Sequence, residues 1–102
     1  MYYSDAKGKK FSDSTLVGIR KKAIKELKAI TKDGYFPFRS YSHYVQIFDS
    51  PNFTRDHYVG HVSRDLFTDD DGKTIRKEYF DWYDYEKNKR FPLNPNGTVK
   101  TK

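Results

Sequence analysis

Apolar residues recur along this chain with two different periods. Between residues 12 and 34 they fall at three- and four-residue steps: Leu16, Ile19, Ala23, Leu27 and Ile30, with Val17 and Ile24 widening the stripe. That spacing gathers them on one side of an α-helix. Ser12, Asp13 and Ser14 offer N-cap oxygens ahead of the stripe, and Asp33-Gly34 supplies the glycine expected at C′, a bracket of about five turns. Gly18 costs about 1 kcal/mol relative to alanine in a helix interior, so either the start slips inward or a neighbouring backbone comes close there. The side predicted to face solvent carries Arg20, Lys21, Lys22, Lys25 and Lys28, relieved only by Glu26.

Outside this segment the period drops to two. Met1 to Asp5 and Lys9 to Phe11 flank Ala6-Lys7-Gly8, which predicts a short strand or loose hairpin turning at the glycine. Tyr41 to Asp49 alternates, with Tyr41, Val45 and Ile47 on one face and Tyr44 and Phe48 on the other, and ends at Ser50-Pro51-Asn52. His57 to Arg64 predicts a second strand. Thr74 to Tyr85 predicts a longer third, with Ile75, Tyr79 and Tyr83 on one face and Phe80 and Trp82 on the other. Asp69-Asp70-Asp71-Gly72 is a hairpin signal between them. Turns around Lys87-Asn88 and at Asn94-Pro95-Asn96-Gly97 leave Lys89 to Leu93 and Thr98 to Lys100 as short closing strands, with Pro92 at an edge. The fold class is therefore α+β: a single small domain with an N-terminal strand and one long amphipathic helix packed on an antiparallel β-meander. Residues 1–93 form the domain, and 94–102 a C-terminal turn and loose basic tail.

Composition tests whether such a chain folds. Only 35% of its 102 residues are hydrophobic and the mean hydropathy is −0.99, values that bring disorder into view. The nine Tyr, eight Phe and one Trp argue the other way, because each aromatic side chain buries roughly 150–250 Å². The expectation is a small core rich in Tyr and Phe. The absence of cysteine excludes a disulfide scaffold, thiolate metal sites and a cysteine nucleophile. No apolar run approaches the ~20 residues of a membrane span, and the acid at Asp5 with no apolar stretch around it does not read as a signal peptide, so the expected setting is cytoplasmic.

Charge is segregated. Residues 1–33 carry a net +5, residues 34–86 a net −4 and residues 87–102 a net +5, within a total of +6. A basic helix face and a basic tail make an electrostatic footprint for a phosphate backbone, which predicts nucleic-acid contact through Arg20, Lys21, Lys22, Lys25, Lys28, Lys87, Lys89 and Arg90. The bland alternative is a solvated face paired with acids at little net energy. Tyr35 to Tyr41 interleaves rings with Arg39 in the manner of a stacking platform, although most rings are needed as core.

Two further readings stand beside this one. Phe80, Trp82, Tyr83 and Tyr85 among Asp81, Asp84 and Glu86 would form an aromatic protein-interaction patch with a polar rim, as in an inhibitor module; the competing reading puts Trp82 in the core. Catalysis would fall to His43, His57 or His61 with Arg55, Arg64 or Arg76, as in a metal-independent ribonuclease. The sequence favours binding over catalysis. His57 and His61 are spaced to chelate on a helix, whereas on a strand four residues span roughly 13 Å, and Asp69 to Glu78 imitates only half a calcium loop. No metal or other cofactor is expected. Aromatic residues on both faces of one strand imply either an exposed patch or a second covered face, as in a homodimer.

Overall fold

Lys7 and Gly8 open the fold with a two-residue turn in which both backbones have positive φ, 51° and 88°. This geometry matches the twist of paired strands, so β1 (Tyr2–Ala6) folds straight back on β2 (Lys9–Asp13), and the Asp5 carboxylate accepts the Gly8 N–H at 2.7 Å. The computed structural model describes residues 1–31, 40–71 and 73–100. The predicted C-cap at Asp33-Gly34, the rings between Tyr35 and Phe38, Gly72 of the hairpin signal and the last two residues lie outside them.

Helix α1 (Leu16–Thr31) begins where its cap allows. Thr15 Oγ1 accepts the Gly18 N–H at 2.9 Å, while Asp13 Oδ1 accepts the Thr15 N–H at 3.0 Å, so the capping oxygen sits one residue after the run Ser12 to Ser14. After the helix come β3 (Ser40–Phe48), a 3₁₀ turn at Arg55–His57, β4 (Tyr58–Thr68), β5 (Ile75–Asp84) and β6 (Lys89–Leu93). They join the hairpin in one six-stranded sheet of order β2-β1-β3-β4-β5-β6, antiparallel throughout. The expected α+β architecture is the observed one, a single helix on an antiparallel sheet.

Alternation sorts the strand residues onto two faces. Val45, Ile47, Val62, Phe80, Trp82 and Leu93 point toward Ile19, Ala23, Ile24 and Leu27 of α1 and form the core. Fully burying a large apolar side chain contributes about 1.5–3 kcal/mol, so these positions carry much of the stability. Trp82 needs a glycine beside it. A Cβ on Gly60 would lie 2.7 Å from the indole edge and against the Tyr83 carbonyl, so only glycine leaves the ring its seat.

The helix covers the β1 to β4 side of this face, and the end of the chain covers the rest. Asn94 to Lys100, predicted as a turn and short closing strand within a loose tail, is docked: Val99 bridges Leu93, and Lys100 N–H is donated to the Pro92 carbonyl at 2.8 Å. Gly97, with φ 91°, lies so close to the helix that a Cβ would meet the Val17 carbonyl at 2.5 Å and the Lys21 nitrogen at 2.8 Å. Val99 therefore makes a bridge where a short strand was expected.

Candidate functional site

The helix lysines are the first candidate. Lys21, Lys22, Lys25 and Lys28 are exposed and line a single groove of about 700 Å³. Its apolar lining comes from Val17, Ile24 and Pro95, the last brought there by the docked C-terminal turn. Lys22 is partly engaged, 3.2 Å from Asp13 and donating to the Ser12 carbonyl at 2.6 Å. Lys28 stands 5.5 Å from the Phe80 ring centre. Among the described residues, Lys21, Lys25 and Lys28 have no ion-pair partner.

Arg20 is not part of that surface. It is four residues after Leu16 and three before Ala23, which places it within the buried stripe, and only 6% of it is exposed. Its guanidinium lies 5.4 Å from the centre of the Trp82 ring, and its Nε–H is donated to the Gly97 carbonyl at 2.9 Å. Burial pulls its pKa below the ordinary arginine value, with Asp84 opposing. The basic residues near the C-terminus do not join the groove either. Lys87 lies in the β5–β6 turn over Phe91, and Lys89 and Arg90 alternate on the edge strand β6, Arg90 turning to the sheet face away from the helix.

The aromatic patch divides in the same way. Phe80 and Trp82, proposed from sequence as interaction anchors, are core residues at 6% and 2% exposure, because even-numbered positions of β5 face the helix. Tyr83 and Tyr85 occupy the opposite face, where α1 does not reach. There they belong to a larger tract that cross-strand register assembles. Tyr44, His61 and Tyr83 meet across β3, β4 and β5, with ring centres 4.9 and 5.0 Å apart. The Tyr58 hydroxyl is 2.8 Å from His61 Nδ1, and its ring is 4.9 Å from that of Tyr85. Phe53 stacks on Phe48 at 4.7 Å and covers that end, while Phe67 and Tyr79 meet edge to face at 6.2 Å. Burial, then the neighbouring tyrosines, pushes the Tyr58 hydroxyl up to about 12.

No family model, curated protein or solved structure matches this chain. Its possible activities therefore rest on these side chains alone.

The structure does not gather the three histidines. His43 is on the helix-facing side of β3, His61 on the open side of β4, and His57 lies in the 3₁₀ turn with Nδ1 2.9 Å from Asp49. Burial holds both His43 and His61 below the usual histidine pKa, so both favour the neutral ring. Two of the three candidate cations are engaged elsewhere: Arg64 is buried in an ion pair with Glu78, and Arg76 is 3.2 Å from Asp69. Sequence reasoning overlooked Tyr44, Tyr58 and His61 as one cluster. Their alternation was visible, but the register that aligns them was not.

Proposed function

We propose that the protein is a non-catalytic binding protein that takes the phosphate backbone of a nucleic acid along the outer face of α1. One observation carries this reading: four lysines line the same groove, with apolar surface between them for the sugar edges, and three of them, Lys21, Lys25 and Lys28, have no ion-pair partner among the described residues. Charge neutralisation of this kind releases counterions and makes affinity depend steeply on salt. The footprint is narrower than the eight cations singled out in the sequence. Arg20 is spent on Trp82, and Lys87, Lys89 and Arg90 line no part of the groove.

A salt-resolved titration of single- and double-stranded DNA and RNA oligonucleotides tests the reading. Four phosphate contacts predict a log–log slope of about −3 to −4, and exchanging Lys21 and Lys25 for Glu should reduce binding at least tenfold. Absence of binding at low salt, or binding indifferent to those two exchanges, would overturn it.

A further inference from the structure

No described helix packs on the face of the sheet away from α1, and Asp65 and Asp81 make its centre acidic. In the register, Tyr44 on β3 opposes Ser63 on β4, which opposes Asp81 on β5; one step along, Asp65 opposes Tyr79. Asp65 and Asp81 are thus diagonal neighbours on the open face. Neither has a cation within ion-pair distance among the described residues. Burial and then the charge of Asp65 hold the Asp81 carboxyl above the ordinary aspartate range, with Arg90 and Lys100 opposing from a distance. Between them Ser63 is 96% buried, since 4% is exposed, and its Oγ has no hydrogen-bond partner. Tyr44 and Tyr79 rise on either side, 54% and 48% exposed, and Tyr83 bounds the row nearer His61.

Two carboxylates with no ion pair at contact distance among the described residues, Arg90 and Lys100 acting on Asp81 only from further off, an unsatisfied buried hydroxyl and tyrosine rings form the complement of a cation. A planar guanidinium suits this arrangement better than a metal ion. It can lie against the phenol faces and present parallel N–H groups to the carboxylates, whereas the described residues gather no group of three or more metal-ligating side chains. The exposed rings of Phe67 and Tyr85 extend the surface beyond what one small cation would cover. We propose that the open sheet face docks an arginine-bearing segment of a partner protein, whose guanidinium sits among Asp65, Asp81, Ser63, Tyr44, Tyr79 and Tyr83. This surface is separate from the lysine groove, and neither proposal depends on the other.

The experiment uses a nona-arginine peptide, with nona-glutamate and a single-stranded oligonucleotide as comparisons, followed by backbone amide shifts of the full chain. The expected result is saturable shifts at Ser63, Asp65, Tyr79 and Asp81 with nona-arginine alone. The double variant Asp65→Asn, Asp81→Asn should lose at least tenfold in affinity, and because it removes a like-charged, partly buried pair it should melt no lower than the parent chain at pH 7. Shifts confined to Asp69–Asp71, or affinity unchanged in the double variant, would overturn the proposal. So would the oligonucleotide moving the same amides, or sedimentation showing that a second copy of the chain occupies this face.

Discussion

Arg20 lies over Trp82, 5.4 Å from the ring centre, and the same side chain reaches across to the Gly97 carbonyl. A charged residue is thereby the lid of the largest core side chain. A desolvated cation–π contact contributes about 2 kcal/mol, and a buried carbonyl that loses its donor costs about 1–3 kcal/mol more. Arg20→Ala is therefore expected to destabilise the fold by about 3–5 kcal/mol in urea denaturation. Arg20→Lys should recover only part of that, because an ammonium lacks the flat surface that stacks on the indole. A loss below 0.5 kcal/mol for the alanine variant would show that the contact is incidental.

Gly60 makes the other half of the indole seat. Gly60→Ala puts a methyl group into the ring edge and the Tyr83 carbonyl, both fixed by sheet pairing, so it should cost about 2–4 kcal/mol and redden or weaken the Trp82 fluorescence signature. Gly8→Ala is the control. Open space surrounds that glycine, and its cost should reflect only the positive φ, about 1 kcal/mol.

The Arg64–Glu78 pair ties β4 to β5 beside the core. Arg64 has 7% of its side chain exposed and Glu78 has 29%, so the pair is neither a surface bridge nor a fully desolvated one. Glu78→Gln leaves a buried guanidinium facing a neutral amide and should cost about 1–3 kcal/mol. Restoring a carboxylate as Asp, one methylene shorter, should recover less than half of the loss. Equal stability of the Gln variant and the parent chain at low salt would refute this.

Stability should fall on mild acidification. His43 and His61 both have pKa values lowered in the fold by burial, seconded by Lys7 and Arg90 respectively. Below the ordinary histidine value of about 6.5 the unfolded chain therefore binds more protons than the native one, and stability that is complete above that pH declines as the pH drops toward the lowered folded values. Thermal melts across pH 7.5 to 4.5 should show this decline, flattened in His61→Gln. A melt that rises on acidification in that range, or a profile identical in the variant, would contradict the assignment.

How much of this was legible beforehand depends on how local each determinant is. The helix stripe, the Lys7-Gly8 turn and the period-two alternation of β3 and β5 are written in neighbouring residues and carried directly into the fold. Phe80 and Trp82 were correctly separated from Tyr79 and Tyr83, but both sets are aromatic, so β5 alone does not say which set meets the helix. Arg20 was misplaced because its charge outweighed its spacing: Leu16, Arg20, Ala23 and Leu27 recur at four, three and four residues, the rhythm of a buried face. The docking of Gly97 on α1 joins residues 77 apart, and no local pattern encodes it. The pairing of Asp65 with Asp81 on the open sheet face depends on strand register, with irregularities at Ile47/Phe48 and Phe67/Thr68 that sequence does not announce.

The docked turn also has a consequence in time. A ribosome delivers the chain from its N-terminus, so α1 and every strand are complete before the Asn94–Gly97 turn emerges. Until it does, the Arg20 side chain lacks its carbonyl acceptor and the β5–β6 end of the core lacks its cover. A chain truncated after Leu93 would hold all six strands and still expose an unfinished apolar surface. The interval before this turn emerges is therefore when the domain is most open to chaperone binding or aggregation, and pulse proteolysis of chains stalled through C-terminal linkers of increasing length would register the closure as residues 94–97 clear the exit tunnel.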